Sequence, residues 1–227
     1  MENEHEKIKL TKKEMAEIDE KMPEKYGITV SRMMENAGYQ IAEFLRNEIA
    51  EEQFSFYIGK GNNGGDALAA ARRIHLWGSD VEIVLASEEL DDIREEELEI
   101  LKELDVEINI KASENDYPVA VDGLLGYNIQ GEPRPPMDEM IREINNHANV
   151  VSIDIPSGLD PDTGEESNPN VKPYYTVTLA APFEGMTEKN SGEVWLADIS
   201  VPPEIYEEEE IMQNLFKASS LVQLDLE

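Results

Sequence analysis

The sequence predicts an α/β fold with a mainly parallel central sheet covered on both faces by helices, and three observations carry that prediction. Short apolar, β-branched segments alternate along the chain with longer segments of helical apolar period. Three of the strand-like segments stop abruptly at loops dense in Gly, Asn, Asp and Ser: "GKGNNGGD", "DGLLGYNIQGE" and "DIPSGLDPDTG". In open α/β sheets such loops, at the carboxyl ends of strands, are where ligands bind. Finally, 227 residues suit one α/β domain, which would bury roughly 70 to 75% of the surface of its unfolded chain. The chain therefore reads as a single domain over 1–227, with its core at about 15–202 and a polar tail after 203.

The elements follow in order. Thr11 to Glu14 reads T-x-x-E, a capping box opening a helix through "EMAEIDEKM". Ser31 is placed to cap a second helix, "RMMENAGYQIAEFLRNEIA", in which Met34, Ala37, Ile41, Ala42, Phe44 and Leu45 recur at helical spacing. "FSFYIG" is a first strand that stops at glycine, a helix is expected from Asp66 to near Gly78, and "VEIVLA" is the next strand. From Glu88 to Leu104 the residues Leu90, Ile93, Leu98, Leu101 and Leu104 line one helical stripe with acids on the other faces. "VEINI" and "PVAVDG" are strands, followed by a glycine-bearing loop to Pro136, a helix from Met137 to His147, and the strand "NVVSIDIPSG" running into a loop. "YYTVTLAAP" and "GEVWLADISVP" are two late strands.

Composition excludes several classes of function. Asp and Glu total 50 against 19 Lys and Arg, a formal charge of −31 that repels phosphate backbones, so nucleic acid is not an expected partner. Such self-repulsion weakens when salt screens it, and a melting temperature that rises between millimolar and molar KCl is expected of a protein from a salt-rich cytoplasm. No cysteine occurs, which removes disulfides, thiolate metal sites and cysteine nucleophiles. "MENEHEKIKL" leads into no apolar segment of the kind a secretory signal needs, and apolar runs are strand-length, so a cytoplasmic protein without membrane spans is expected.

The first loop contains a literal G-x-G-x-x-G at Gly59, Gly61 and Gly64, the pattern of a dinucleotide-binding turn. A dehydrogenase reading places a ribose-binding acid at Glu88 or Glu89. Against it, Asp66 falls at the expected helix terminus, where a carboxylate caps the free N–H groups and repels a phosphate. Two helices also precede a fingerprint that normally opens its domain. A Walker-type phosphate loop fails because no G-K-[ST] follows the glycines.

Taken together, "RMMENAG", "GKGNNGGD", "VDGLLGYNIQGEPRPP", "VVSIDIPSGLDPDTGE", "TVTLAAPFEGM" and "GEVWLADISVP" resemble the NAD(P)H-hydrate epimerases, the YjeF N-terminal-domain family. The resemblance covers about 15–202. It implies a Rossmann-like three-layer αβα sandwich, commonly a homodimer, that interconverts the R and S forms of NADH or NADPH whose nicotinamide ring has gained water. A stereospecific hydrate dehydratase then repairs both, and this pairing is the functional partner the resemblance implies. By motif, the ligand would be held by Asn62, Asn63, Gly64, Gly65 and Asp66, by Gly126, Tyr127, Asn128, Ile129, Gln130, Gly131 and Glu132, and by Asp154. A potassium ion would be held by Asn63, Asp122 and Ser157, residue types that supply the oxygen donors a hard cation prefers. Asp154 is the expected acid/base group, because exchanging a hydroxyl at one ring carbon requires a proton to be moved on and off. Three positions depart from the family pattern: Phe183 stands where many members carry Lys, Ala67 where Gly is usual, and Lys60 where Pro is common. Lys60 is expected to replace in part the cation lost at Phe183.

Each residue also has a plainer reading. Asp66 can serve as an N-cap alone, Asp122 and Asp154 as makers of Asx-turns, and the acids of "GLDPDTGE" as turn formers, with Asp160 supporting the site from behind. Ser157 has no histidine pattern around it, which removes a serine nucleophile. His5, His75 and His147 are scattered, and Trp77 and Trp195 read as packing residues. Two alternatives to the epimerase stay open: a non-catalytic binding or scaffolding module on the same fold, and the dehydrogenase.

Overall fold

The computed structural model describes residues 3–87, 92–111, 117–128 and 131–227. After a short helix α1 (Glu4–Lys7), the expected capping box opens α2 (Lys12–Tyr26). The Glu14 N–H donates to Thr11 Oγ1 at 3.2 Å and the Thr11 N–H donates to Glu14 Oε2 at 2.8 Å, so two otherwise orphaned donors are satisfied reciprocally. Helix α3 (Val30–Phe44) starts one residue before Ser31, and Thr29 is its N-cap. The Thr29 carbonyl already accepts the Met33 N–H at 3.1 Å, which draws Ser31 into the first turn. A π-helical turn, Leu45–Ile49, ends it.

The core then follows the predicted order, with one short helix, Glu188–Ser191, that the sequence reading did not include: β1 (Gln53–Ile58), α4 (Asn62–Leu76), β2 (Asp80–Leu85), α5 (Asp92–Glu103), β3 (Glu107–Asn109), β4 (Val119–Gly123), α6 (Met137–Ile144), β5 (Asn149–Ile153), β6 (Tyr175–Leu179), α7 (Glu188–Ser191) and β7 (Glu193–Ala197). Glu88 and Glu89, and with them the start of the predicted fourth helix, lie outside the described residues. The sheet has eight strands in the order β3-β2-β1-β4-β5-β6-β7-β8, where β8 (Leu221–Gln223) runs antiparallel to β7 and every other pair is parallel.

Strand alternation separates two cores. Phe54, Phe56 and Ile58 of β1, with Val119 and Val121 of β4, face the cluster shared with α2, α3 and α4. Tyr57 and Ala120 face a smaller cluster built on Met140, Ile141 and Ile144 of α6. Both sheet faces are therefore covered, as the near-continuous apolar strands require. Burying each large side chain such as Phe44 or Phe56, both fully enclosed, contributes about 1.5–3 kcal/mol.

Three features go beyond or differ from the expected bounds. Helix α4 begins at Asn62 with Gly61 as N-cap, four residues before Asp66. The "NNGG" run, weak in helix propensity, is helical because the loop folds on itself, so closely that a Cβ on Gly64 would lie 2.1 Å from the Gly59 carbonyl oxygen. The polar tail is also structured. It forms a 3-10 turn (Pro203–Ile205), helix α8 (Glu209–Phe216) and β8, because Met212, Leu224 and Leu226 are buried in the main core behind the acidic run that masks them in the sequence. Helix α6 ends at Ile144, short of His147. The His147 ring instead joins the Tyr117 carbonyl through Nδ1 (2.9 Å) and the Tyr57 hydroxyl through Nε2 (3.0 Å). A carbonyl only accepts, so Nδ1 carries a hydrogen, and in the neutral ring Nε2 is then the acceptor for the tyrosine. Trp195 packs against Phe44, whereas Trp77 lies at the surface, edge-on to Tyr39 and beneath Arg46. Among the described residues no helix is long and apolar enough to cross a membrane.

Candidate active site

Strand order reverses direction between β1 and β4, so the loops leaving those two strands part company and open a crevice at the carboxyl edge of the sheet. Gly59 holds the crevice floor together. Its N–H donates to the Gly123 carbonyl at 3.0 Å, and a Cβ there would fall 1.7 Å from the Leu124 carbonyl oxygen. Glycine at 59 and 64 thus serves close backbone packing. Ala67, one turn into α4, is fully buried and already fills the space a Cβ on Gly123 would need, 2.5 Å away.

Above this floor is a cavity of about 470 Å³, within the usual range for a small-molecule site. Met15, Ile18, Met33 and Met34 supply much of its apolar wall, and Asn62, Asn63, Asp66, Tyr127, Asn128 and Asp154 its polar side, joined by Lys60 and Asp19. Gly126 also lines it. The three sequence-predicted loops therefore meet. Gly64 and Gly65 are not wall residues: they pack the first turn of α4 against Gly59 and Met34. Glu132 accepts the Asn168 N–H at 2.9 Å, Gly131 turns the chain at a φ of 75°, and Ile129 and Gln130 lie outside the described residues.

Asp154 directly follows β5 at a φ of 65°, a left-handed conformation that Asp tolerates better than most residues and that holds about 1–3 kcal/mol of strain. Its N–H donates to the Val177 carbonyl at 2.8 Å, and its Oδ1 accepts the Leu179 N–H at 3.4 Å. Burial first, and then the charge of Asp19, push its pKa from 3.8 to about 7. The Asp66 carboxyl is driven well above the ordinary range by burial, then by Asp154 and Asp19, against the opposing pull of Arg94. Asp66 is thus no N-cap: it sits one turn inside α4 and faces the cavity. Asp19 is raised by burial and lowered by the Tyr127 hydroxyl that donates to its Oδ2. Asp19, Asp66 and Asp154 thus form a cluster of buried or half-buried carboxyls, each with a raised pKa; among the described residues no group of three or more His, Cys, Asp or Glu has the arrangement of a metal site.

Beneath the cavity, Asp122 and Ser157 are fully buried. Asp122 accepts four hydrogen bonds: from the Leu124 N–H (3.2 Å), in the Asx-turn the sequence allows, from Ser152 Oγ (2.9 Å), from the Ser157 N–H (2.9 Å) and from Ser157 Oγ (2.6 Å). Burial still raises its pKa against that support. The Leu125 peptide ties this pair to Asn63, since its N–H donates to Ser157 Oγ at 2.9 Å and its carbonyl accepts Asn63 Nδ2 at 3.2 Å. Asn63 Oδ1 is left buried with no hydrogen-bond partner. An orphaned amide oxygen beside a buried carboxylate and a hydroxyl is a donor set that fits a hard cation. Asp160 accepts from the N–H groups of Asp162 and Thr163, the turn-forming role read from sequence.

The family model described as YjeF-related protein N-terminus matches residues 30–185. The chain belongs to this family. It is 40% identical over 185 residues to an NAD(P)H-hydrate epimerase of Cenarchaeum symbiosum, covering 76% of this chain and 86% of that one. It is 32% identical over 203 residues to an NAD(P)H-hydrate epimerase of Dehalogenimonas lykanthroporepellens, covering 85% and 82%. Against a bifunctional NAD(P)H-hydrate repair enzyme of Archaeoglobus fulgidus it is 35% identical over 183 residues, which are 79% of this chain but 39% of the relative's length. A yeast protein of known crystal structure superposes with a TM-score of 0.83 at 21% identity, covering 95% of this chain and 99% of that one, which shows the same fold.

The sequence reading missed three contributors: Asp19, the methionine wall, and Arg94, whose Nη1 donates to Asn62 Oδ1 at 3.4 Å. One signal was available for Asp19. It stands four residues after Met15, next to Ile18 and three before Met22, on the apolar face of α2, where a carboxylate has no structural reason to be.

Proposed function

We propose that this protein is an NAD(P)H-hydrate epimerase that interconverts the R and S forms of hydrated NADH and NADPH for nicotinamide coenzyme repair. The observation that carries the proposal is Asp154. It is a buried carboxyl whose pKa lies at about 7, and it faces the crevice at the strand-order reversal in a chain whose relatives bear that name. A group poised near the operating pH can both give and take a proton, and such groups typically contribute about 10²- to 10⁴-fold. Inverting a hydroxyl-bearing ring carbon requires both acts. The methionine wall supplies a water-poor surface for the ring. The amino terminus of α4 and Lys60 beside it present positive potential to a substrate phosphate.

A potassium ion would be held by Asn63, Asp122 and Ser157, whose orphaned and carboxylate oxygens support that assignment. When bound it would supply fixed positive charge under the loops that carry Gly126 and Asp154. The dehydratase pairing and a homodimer belong to the same reading.

The test is an assay with a hydrate mixture and a stereospecific dehydratase, in which this protein should let dehydration pass beyond the directly usable epimer and Asp154→Asn should remove most of that gain. No acceleration by the wild-type protein would refute the epimerase and favour a binding or scaffolding role. A change at the nicotinamide absorbance band in the absence of dehydratase would indicate hydride transfer.

A further inference from the structure

The geometry points to a second acid/base residue for this reaction, Asp19, supplied by a helix outside the alternating α/β core. The inference rests on the epimerase reading and extends it. Helix α2 precedes the segment that the family model matches, residues 30–185, yet it closes one wall of the cavity through Met15, Ile18 and Asp19. Asp154 faces the same space from the end of β5. The two carboxyls thus approach a bound ring from different walls, one helical and one at the sheet edge.

Inversion at a hydroxyl-bearing carbon has a simple requirement. The C–O bond breaks as a proton passes from one carboxyl to the departing oxygen, leaving water and a ring cation. A new C–O bond then forms from water on the opposite face, and the proton it sheds passes to the other carboxylate. The two groups exchange one proton through solvent to reset, and in the reverse direction their roles swap. No oxidant or reductant enters, and the substrate returns with the same composition, its hydroxyl oxygen now drawn from water.

A single carboxyl at one wall serves one face, whereas an acid and a base on separate walls serve both. Groups whose environments drive their proton affinities apart are suited to this division. Burial raises both carboxyls; the charge of Asp19 raises Asp154 further, while the Tyr127 hydroxyl opposes the rise at Asp19. The titratable groups that interact with Asp19 are Tyr127, Asp66 and Asp154, and Lys60 lines the same cavity. Phe183 has a place in this arrangement. Its ring packs on Tyr127 with centroids 5.4 Å apart, and its strand-like pairing to Leu10 fixes it in the core, so this aromatic side chain steadies the tyrosine that holds Asp19.

The test compares Asp19→Asn and Tyr127→Phe with wild type in the dehydratase-coupled assay. Asn at 19 keeps an acceptor for the Tyr127 hydroxyl and removes the proton chemistry together with the charge that helps raise Asp154. The expected result is a kcat lower by about 10²-fold or more, a KM within a few-fold of wild type, loss of one limb of the kcat–pH profile, and a melting temperature no lower than wild type. Tyr127→Phe should cost less and retain both limbs. A kcat for Asp19→Asn within a few-fold of wild type overturns the inference. So do equal losses in the two variants with an unchanged profile, which would make Asp19 a holder of Tyr127 only. The wild-type profile is an independent check, because two working carboxyls produce two limbs and a single limb is contrary to the inference. If wild type is active and only Asp154→Asn is impaired, this inference alone falls, and if wild type is inactive the function reading falls with it.

Discussion

Replacing Asp154 by Asn should flatten the pH dependence of stability by an amount set by its buried position. The native carboxyl titrates at about 7 against 3.8 for a solvated one, a gap of about three pH units, each worth about 1.4 kcal/mol. Folding therefore takes up a proton in this window. The stabilisation from the protonated form is complete below about pH 4 and is lost as pH rises through about 7, for a total of about 4 kcal/mol. Asn keeps the shape, tolerates the left-handed backbone at 154, and retains an acceptor for the Leu179 N–H, while holding no ionisable proton. The assay is urea unfolding of both proteins at about pH 4.5 and about pH 8.5, with free energies extrapolated to water. Wild type should lose about 3 kcal/mol more than the variant between the two conditions, because at about pH 4.5 the unfolded carboxyl is already mostly ionised. At the alkaline end the variant should be the more stable protein, melting roughly 8 to 16 °C higher at the usual slope for this chain length. The same pH dependence in both proteins, within about 1 kcal/mol, would mean that Asp154 is solvated and would remove the physical basis of its acid/base role.

Three further outcomes are expected. Gly59→Ala drives a Cβ to 1.7 Å from the Leu124 carbonyl, and because backbone cannot rotate away as a side chain can, urea unfolding should show a loss of at least about 1–3 kcal/mol together with a fall in kcat/KM. Potassium at a hundred times Kd should raise the melting temperature of wild type by the equivalent of about 2.7 kcal/mol against a lithium control of equal ionic strength, and Asn63→Ala, which removes the orphaned oxygen, should abolish that rise. Lys60→Ala should raise KM for the hydrates while leaving kcat nearly unchanged, and an unaltered KM would show that Lys60 does not contact the substrate.

The parts of this protein legible in its sequence are those that depend on local rules. The capping box at Thr11, the alternation of strands and helices, and the ending of β1, β4 and β5 at polar, glycine-containing loops all follow from hydrogen-bonding and periodicity within a few residues. The meeting of Asn63, Asp122, Ser157 and Asp154 was readable because topology places the carboxyl ends of parallel strands on one edge. The start of α4 was misread because "NNGG" has weak helix propensity, and only the approach of Gly64 to the Gly59 carbonyl makes it helical. The order of the tail was not legible, because its glutamates hide an apolar set, Met212, Leu224 and Leu226, whose partners lie elsewhere in the chain.

The sequence by itself determined the fold class, the family and the chemical types gathered at the strand ends, since these reside in order and spacing along the chain. Only the tertiary structure decided what those groups are able to do. It carried Asp19 on α2 over the crevice, drew Asp66 one turn inside its helix, and enclosed three carboxyls in one cavity where loss of water and mutual repulsion shift their protons. Proton affinity depends on surroundings brought together from distant segments, and no local pattern records it.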